Sequence, residues 1–289
     1  MKIGIDASLV VGDRAGVGYY TASLIEALAS VDSQNEYVLY PFFYHIFDPR
    51  FKELASPAKN FSVRFRSLPE PWVRYLWFRS RVPKHWLLGT VDVLHSTTYC
   101  CPRAHSGKLV VTIYDISFLR FPEHHTEANR LHCVRGTLDA AQMADRIIAI
   151  SENTRKDLIE YFNIDDDRIV VIPLAARKGF APRPAEEVQV YVSRWWGLSS
   201  PYLLSVGTLE PRKNMKRLIQ AYCDLPRELR DRYSLVIAGG KGWLSSDLYH
   251  HVLETGVQDR IRFLGYVPEG DLPWLYCGAS CFLYPSLYE

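Results

Sequence analysis

Two adjacent cations, Arg212 and Lys213, follow Gly207 in a turn after an apolar, β-prone run, Tyr202–Val206. Beyond them Met215, Leu218, Ile219 and Tyr222 recur at helical spacing on one face. Strand, tight loop and helix, with two fixed positive charges where the helix opens, make a site for a polyanion. The unpaired N–H groups and partial positive charge of a helix start add to the two side chains, and a diphosphate is the simplest ligand. The alternative is that both cations are solvated surface charges, the commonest setting for basic residues.

A second loop carries Gly12, Gly16 and Gly18 between a strand at Lys2–Asp6 and a helix over 19–29. Glycine lets backbone turn tightly and lets a ligand come close, so this loop reads as a phosphate cradle or as a plain tight turn. It does not complete a dinucleotide fingerprint. The third glycine position is Thr21, and the strand over 37–40 runs into Pro41, Phe42 and Phe43 with no acid to hold a ribose.

His95 ends a strand over 91–95, and Tyr114 and Asp115 follow one over 109–113. Polar residues at the C-terminal ends of consecutive strands suit ligand groups in the crevice of an open parallel sheet. Equally, His95 suits a structural histidine and Asp115 a helix cap. Between residues 64 and 86 lies a basic and aromatic run that includes Arg64, Arg66, Trp72, Arg74, Tyr75, Trp77 and Trp86. It fits an anionic membrane face, an acceptor surface, or an amphipathic helix whose aromatics are core.

The elements that must position these residues alternate strand and helix. Helices are expected over 127–144 and 151–162, with Ser151 or Thr154 as cap, and strands over 146–150 and 168–172. The texture changes over 177–200, where Pro182, Pro184 and Pro201 bracket a charged stretch containing Trp195 and Trp196. We therefore expect a first domain at 1–180, a linker at 181–200 and a second domain at 201–289. In the second domain, strands at Ser234–Ala238, 261–264 and 281–284 should bring the turns at 207–213, 239–241, 266–268 and 286–289 to one sheet edge, with a short helix over 271–277.

Composition bounds the rest. The 289 residues are 48% apolar and 23% charged, ample for two cores. A net charge of +2 argues against a dedicated nucleic-acid binder. The six cysteines form no Cys-x-x-Cys pair and no zinc spacing. Asp6 interrupts the first apolar run, against a leader peptide, and no apolar run reaches the roughly 20 residues that span a bilayer. A reduced, cytoplasmic setting is expected.

Jointly, the segments VGTLEPRKN, LIQAY, LVIAGG, IRFLGYVPEGDLPWLY and YPSLYE resemble family-four glycosyltransferases of the GT-B fold, near the mannosyltransferase-like branch. GVGYYTASLIEAL, DVLHS, VVTIYDISFLRFPE and ADRIIAISENTRKDLIEYF extend the resemblance over nearly the whole chain. It implies an α/β protein of two facing Rossmann-like domains, the second incomplete here, with the active site in the cleft between them. It implies transfer of a hexose, mannose among the candidates, from a nucleotide-diphosphate sugar to a glycan or lipid-linked acceptor, with retention and with no metal or other cofactor. Arg212 and Lys213 would neutralise the leaving diphosphate. Gly16, Val17, Gly18, Gly207, Gly240, Tyr266, Val267 and Pro268 would bind the donor. His95, Tyr114 and Asp115 would serve the sugar or acceptor side, and peripheral contact with the inner membrane face would follow from the acceptor.

Two departures bear on this. Tyr114 stands where the family often has histidine. Glu289 matches the first of two family glutamates, beside the donor sugar, and the sequence stops before the second. This form is therefore expected to be aggregation-prone or partner-stabilised with little transferase activity. The alternative reading is a non-catalytic nucleotide-sugar binder.

Overall fold

The computed structural model describes residues 1–10, 16–41, 57–64, 89–99, 106–199, 201–240 and 246–288. The chain divides into two compact units, Met1–Ala175 and Ala176–Glu289.

In the first unit seven strands form one sheet: β1 (Lys2–Asp6), β2 (Glu36–Tyr40), β3 (Phe61–Val63), β4 (Val93–Ser96), β5 (Lys108–Ile113), β6 (Arg146–Ala149) and β7 (Ile169–Val171). Their order is β3-β2-β1-β4-β5-β6-β7 and every neighbouring pair is parallel. A parallel sheet is covered on both faces, so its strands read as near-continuous apolar runs. Ile5, Leu39, Leu109, Val111, Ile113 and Ile147 are accordingly fully buried. Helix α1 (Gly16–Val31) sets Ala22 and Ile25 against Ile5, Tyr37, Leu39 and Phe61. The Tyr37 and Phe61 rings stack across β2 and β3 with centres 4.4 Å apart.

Among the described residues three more helices follow: α2 (Ser117–Arg120), α3 (Glu127–Met143) and α4 (Glu152–Phe162). Ser151 is the cap of α4, its hydroxyl accepting from the Thr154 amide at 3.0 Å. The Thr154 hydroxyl instead donates to the Tyr114 carbonyl at 2.8 Å, tying α4 to the end of β5. In α3, Gly136 lies so close to Tyr99 that a Cβ there would stand 1.7 Å from its carbonyl oxygen.

The second unit has four parallel strands, β8 (Tyr202–Val206), β9 (Ser234–Ala238), β10 (Ile261–Gly265) and β11 (Cys281–Phe282), in the order β10-β9-β8-β11. Its helices are α5 (Ala185–Trp196), α6 (Met215–Cys223), α7 (Arg227–Arg232), α8 (Ser246–Glu254) and α9 (Leu272–Gly278). Alternate strand residues serve opposite faces. Tyr202, Leu204 and Val236 pack with Val188, Val192 and Leu275 from α5 and α9. Leu235 and Ile237 pack with Met215, Leu218, Ile219, Tyr222 and Val252 from α6 and α8.

This arrangement corrects the expected linker at 181–200. The chain divides at Ala175 and Ala176, and most of the stretch is α5, part of the second unit's core. Val188 and Val192 lie one helical turn apart and are buried, Tyr191 stacks on Trp274 with ring centres 4.4 Å apart, and its hydroxyl donates to Asp271 at 2.7 Å. Gly197 then closes the helix in the left-handed region, φ 62°, where glycine is favoured.

Candidate functional site

The second unit's four strands all end at one edge, and backbone bonds lace their turns together. The Gly207 amide donates to the Ala238 carbonyl at 2.9 Å, the Gly239 amide to the Gly265 carbonyl at 2.8 Å, and the Leu209 amide to the Gly240 carbonyl at 3.0 Å. The fit is close enough that a Cβ on Gly239 would stand 1.8 Å from the Gly207 carbonyl oxygen. Around Gly240 no described residue lies within 4 Å of where a side chain would begin. Of the residues after β10, Tyr266 is exposed, whereas Val267 belongs to the apolar core. The Pro268 carbonyl accepts from the Asp271 amide at 3.0 Å, at the start of α9. Lys241 and Glu289 lie outside the described residues.

Arg212 and Lys213 stand at this edge, but not in the first turn of α6. They belong to a separate 3-10 turn, Pro211–Lys213, and Asn214, left-handed at φ 58°, joins it to the helix. Proline has no N–H to offer, and asparagine is among the few residues that take the left-handed region readily. Neither cation is a solvated surface charge. The Lys213 residue is 9% exposed and the Arg212 side chain 13%. The Lys213 ammonium donates to the Tyr284 hydroxyl and lies 4.8 Å from the centre of that ring. Arg212 Nη2 donates to Glu210 Oε1 at 2.8 Å and Nη1 to the Tyr288 carbonyl at 2.7 Å. The Leu287 amide donates back to the Arg212 carbonyl at 3.0 Å, and Asn214 Nδ2 to the Pro285 carbonyl at 3.1 Å. The cationic turn is thus latched to the segment after β11, more than seventy residues away in sequence.

In the first unit the strand order reverses between β1 and β4, the place where open parallel sheets open a ligand crevice. A buried polar cluster sits at that end. Asp6 accepts from the Ser8 amide at 3.0 Å, from the Ser8 hydroxyl at 2.5 Å and from the Thr98 hydroxyl at 2.9 Å. Its carbonyl accepts from the Thr97 hydroxyl at 2.8 Å. Burial raises the Asp6 pKa against the pull of those donors. Sequence reasoning passed over this residue as a ligand-side group; its signal was an acid at the C-terminal end of the first strand with a hydroxyl two residues on.

His95 is buried with Nε2 2.8 Å from the Thr112 hydroxyl, and burial lowers its pKa to about 4. It is a neutral, hydrogen-bonded imidazole near pH 7. Tyr114 donates its hydroxyl to the Thr97 carbonyl at 2.6 Å, and burial raises its pKa, so it stays a phenol. Asp115 accepts from the Ser117 amide at 2.9 Å and hydroxyl at 2.8 Å, which makes it the acid that opens α2. Gly16, Val17 and Gly18 form the first turn of α1, with Gly16 exposed and Gly18 buried. Gly12 and nearly all of the basic, aromatic run lie outside the described residues.

Among the described residues no group of three or more His, Cys, Asp or Glu is placed to hold a metal ion. Cys133, Cys223, Cys277 and Cys281 are free thiols. No described helix is long and apolar enough to cross a membrane.

Comparison with known proteins matches residues 14–176 to the family described as Glycosyltransferase Family 4 and residues 196–289 to Glycosyl transferases group 1. The chain is 40% identical to the O-antigen chain mannosyltransferase B of Escherichia coli over all of its own length and 77% of that protein. It is 28% identical to a D-inositol 3-phosphate glycosyltransferase of Corynebacterium aurimucosum over 71% of this chain and 49% of the other. Among solved structures it superposes on sucrose-phosphate synthase of Thermosynechococcus elongatus with a TM-score of 0.73 at 18% identity, covering 100% of this chain and 76% of that one. Anabaena HepE in complex with UDP and glucose gives 0.66 at 17% identity, covering 99% and 74%. The chain belongs to the family-four glycosyltransferases, and its two parallel-sheet units are those of the GT-B fold.

Proposed function

We propose that this glycosyltransferase moves a hexose, mannose first among the candidates, from a nucleoside-diphosphate sugar to a glycan or lipid-linked acceptor, with retention at the anomeric carbon. One observation carries the donor side: two cations, Lys213 buried and Arg212 only 13% exposed, held together on one short turn at the C-terminal edge of the second sheet. Cations held largely out of water attract anions strongly, and beyond the carboxylate of Glu210 a diphosphate supplies further ones. As the bond from sugar to phosphate breaks, negative charge grows on the departing phosphate, and fixed cations stabilise it without reorganising. That is the task a metal ion performs elsewhere, and the reading assigns it to these side chains. The acceptor hydroxyl attacks the anomeric carbon on the face the phosphate leaves. Its proton passes to the phosphate oxygen, so the products are the new glycoside and the nucleoside diphosphate.

Around that centre Glu289 is assigned to the donor sugar, and Gly207, Gly240, Tyr266 and Pro268 to the nucleotide. Exposed Tyr266 is the ring that can stack on a base. On the first unit Gly16 and Val17, at a helix start, where the first amides have no partner within the helix itself, are assigned to phosphate. His95, Tyr114 and Asp115 hold the C-terminal ends of β4 and β5 in place rather than move protons, because each is already committed to a structural bond. Contact with a lipid-linked acceptor at the inner membrane face, and with it a cytoplasmic setting, rests on the basic and aromatic run at 64–86.

The test is a thermal-shift panel of UDP, GDP, UDP-glucose and GDP-mannose on wild type, Arg212→Ala and Lys213→Ala. A response in wild type that both variants lose, with unfolding otherwise cooperative, supports the reading. Variants that respond like wild type overturn it. Binding without transfer by a chain extended past Glu289 would select the non-catalytic alternative.

A further inference from the structure

The residue before the cationic turn is an acid, and it faces the turn. The Glu210 side chain is 10% exposed, the Arg212 side chain 13%, and they meet at 2.8 Å. Glu210 has little freedom to leave. Its amide donates to the Thr208 carbonyl at 2.9 Å and its carbonyl accepts from the Lys213 amide at 3.0 Å, so the backbone on both sides is pinned. The guanidinium plane is fixed from its other end by the Tyr288 carbonyl at 2.7 Å. A phosphate oxygen that reaches Arg212 therefore arrives beside a carboxylate in a water-poor setting, where repulsion between like charges is strong.

The two nucleotides of the proposed reaction differ in charge. In the donor each phosphate carries one negative charge, because the sugar esterifies the terminal one. After transfer the terminal phosphate regains a second ionisation, with a pKa near ~6 for such monoesters. Near neutral pH the product is the more negative ligand by almost a full charge. Two cations alone would hold the product more tightly than the donor and retard its release.

We infer that Glu210 is a specificity-determining residue of the diphosphate site, an internal anion that weights binding away from the nucleoside diphosphate product and toward the nucleotide sugar. The inference rests on the reading of Arg212 as a phosphate ligand. Gln is the informative replacement, since its amide oxygen still accepts from Arg212 Nη2 while the charge is gone.

The experiment is calorimetric titration of wild type, Glu210→Gln and Arg212→Ala with GDP, GDP-mannose, UDP and UDP-glucose at neutral pH. Glu210→Gln should tighten the nucleoside diphosphate by on the order of tenfold and its sugar ester by distinctly less, from the extra charge felt across a few ångström. Equal tightening of both ligands, no change, or weaker binding overturns the inference; weaker binding would make Glu210 an orienting partner of Arg212. Wild type gives a second check should the variant fail to fold. There the diphosphate should bind no more than about threefold more tightly than its sugar ester, and a preference beyond about tenfold overturns the inference. Arg212→Ala separates the two levels. If it binds diphosphate as wild type does, the site reading itself fails; if it loses binding while Glu210→Gln gains none, only the role of Glu210 fails.

Discussion

Asn214 Nδ2 donates to the Pro285 carbonyl at 3.1 Å, and the same residue holds the left-handed backbone between the cationic turn and α6. One residue thus supplies both a backbone conformation and a bond across the sheet edge. Asn214→Gly keeps the conformation cheaply and loses about 1 kcal/mol with the bond, whereas Asn214→Ala also bears roughly 1 kcal/mol of left-handed strain. Urea unfolding should rank wild type above Gly and Gly above Ala. Equal Gly and Ala variants would mean the left-handed residue is not the constraint.

Gly239 and Gly240 are neighbours with opposite surroundings. A methyl on Gly239 collides with the Gly207 carbonyl, while one on Gly240 meets no described residue within 4 Å. Gly239→Ala should cost more than about 2 kcal/mol and weaken the nucleotide response, because backbone must shift to admit it. Gly240→Ala should unfold within about 0.5 kcal/mol of wild type. Chemical denaturation of the pair decides this, and similar losses in both would refute the lacing of the turns.

His95 should make stability fall in mild acid. Its pKa drops from 6.5 to about 4 on folding, so between those values the unfolded chain holds a proton that the folded chain does not. Stability therefore rises with pH across that window, by up to ~3 kcal/mol, and is level in this respect above it. Asp6, with its raised pKa, works in the opposite sense at acid pH, so the contribution of His95 is read by difference. Subtracting the stability-versus-pH curve of His95→Gln from that of wild type should leave this slope, and a flat difference would show that His95 takes its proton in the folded state.

Chelation tests the division of labour between cations and metal. With Arg212 and Lys213 holding the diphosphate, nucleotide dissociation constants should change less than about threefold between EDTA and millimolar magnesium. A tenfold or greater gain with magnesium would return that task to an ion.

The sheet grammar was readable because burial writes it into composition. Tyr202–Val206 and Ser234–Ala238 are apolar runs bounded by glycine or proline, and the face Met215, Leu218, Ile219 and Tyr222 is buried as its spacing requires. Helix α5 was hidden by Pro182, Pro184 and the charges of its outer face, although Val188 and Val192 carried its spacing. The cations were found by type and place, but their partners were not. Tyr284 and Tyr288 reach them from the far end of the second unit, and no local pattern encodes such a pairing. His95 and Asp115 were flagged for position alone, and only the bonds to Thr112 and Ser117 show how each is employed.

The amides of Gly207, Leu209 and Gly239 are already given to neighbouring carbonyls. At these three positions no N–H is left to wrap a phosphate in the manner of a glycine nest, so a ligand that came there would meet carbonyls and side chains. Under the proposed reading, charge would then decide which guest is held, and a single residue exchanged at the rim would retune it without disturbing the main chain beneath.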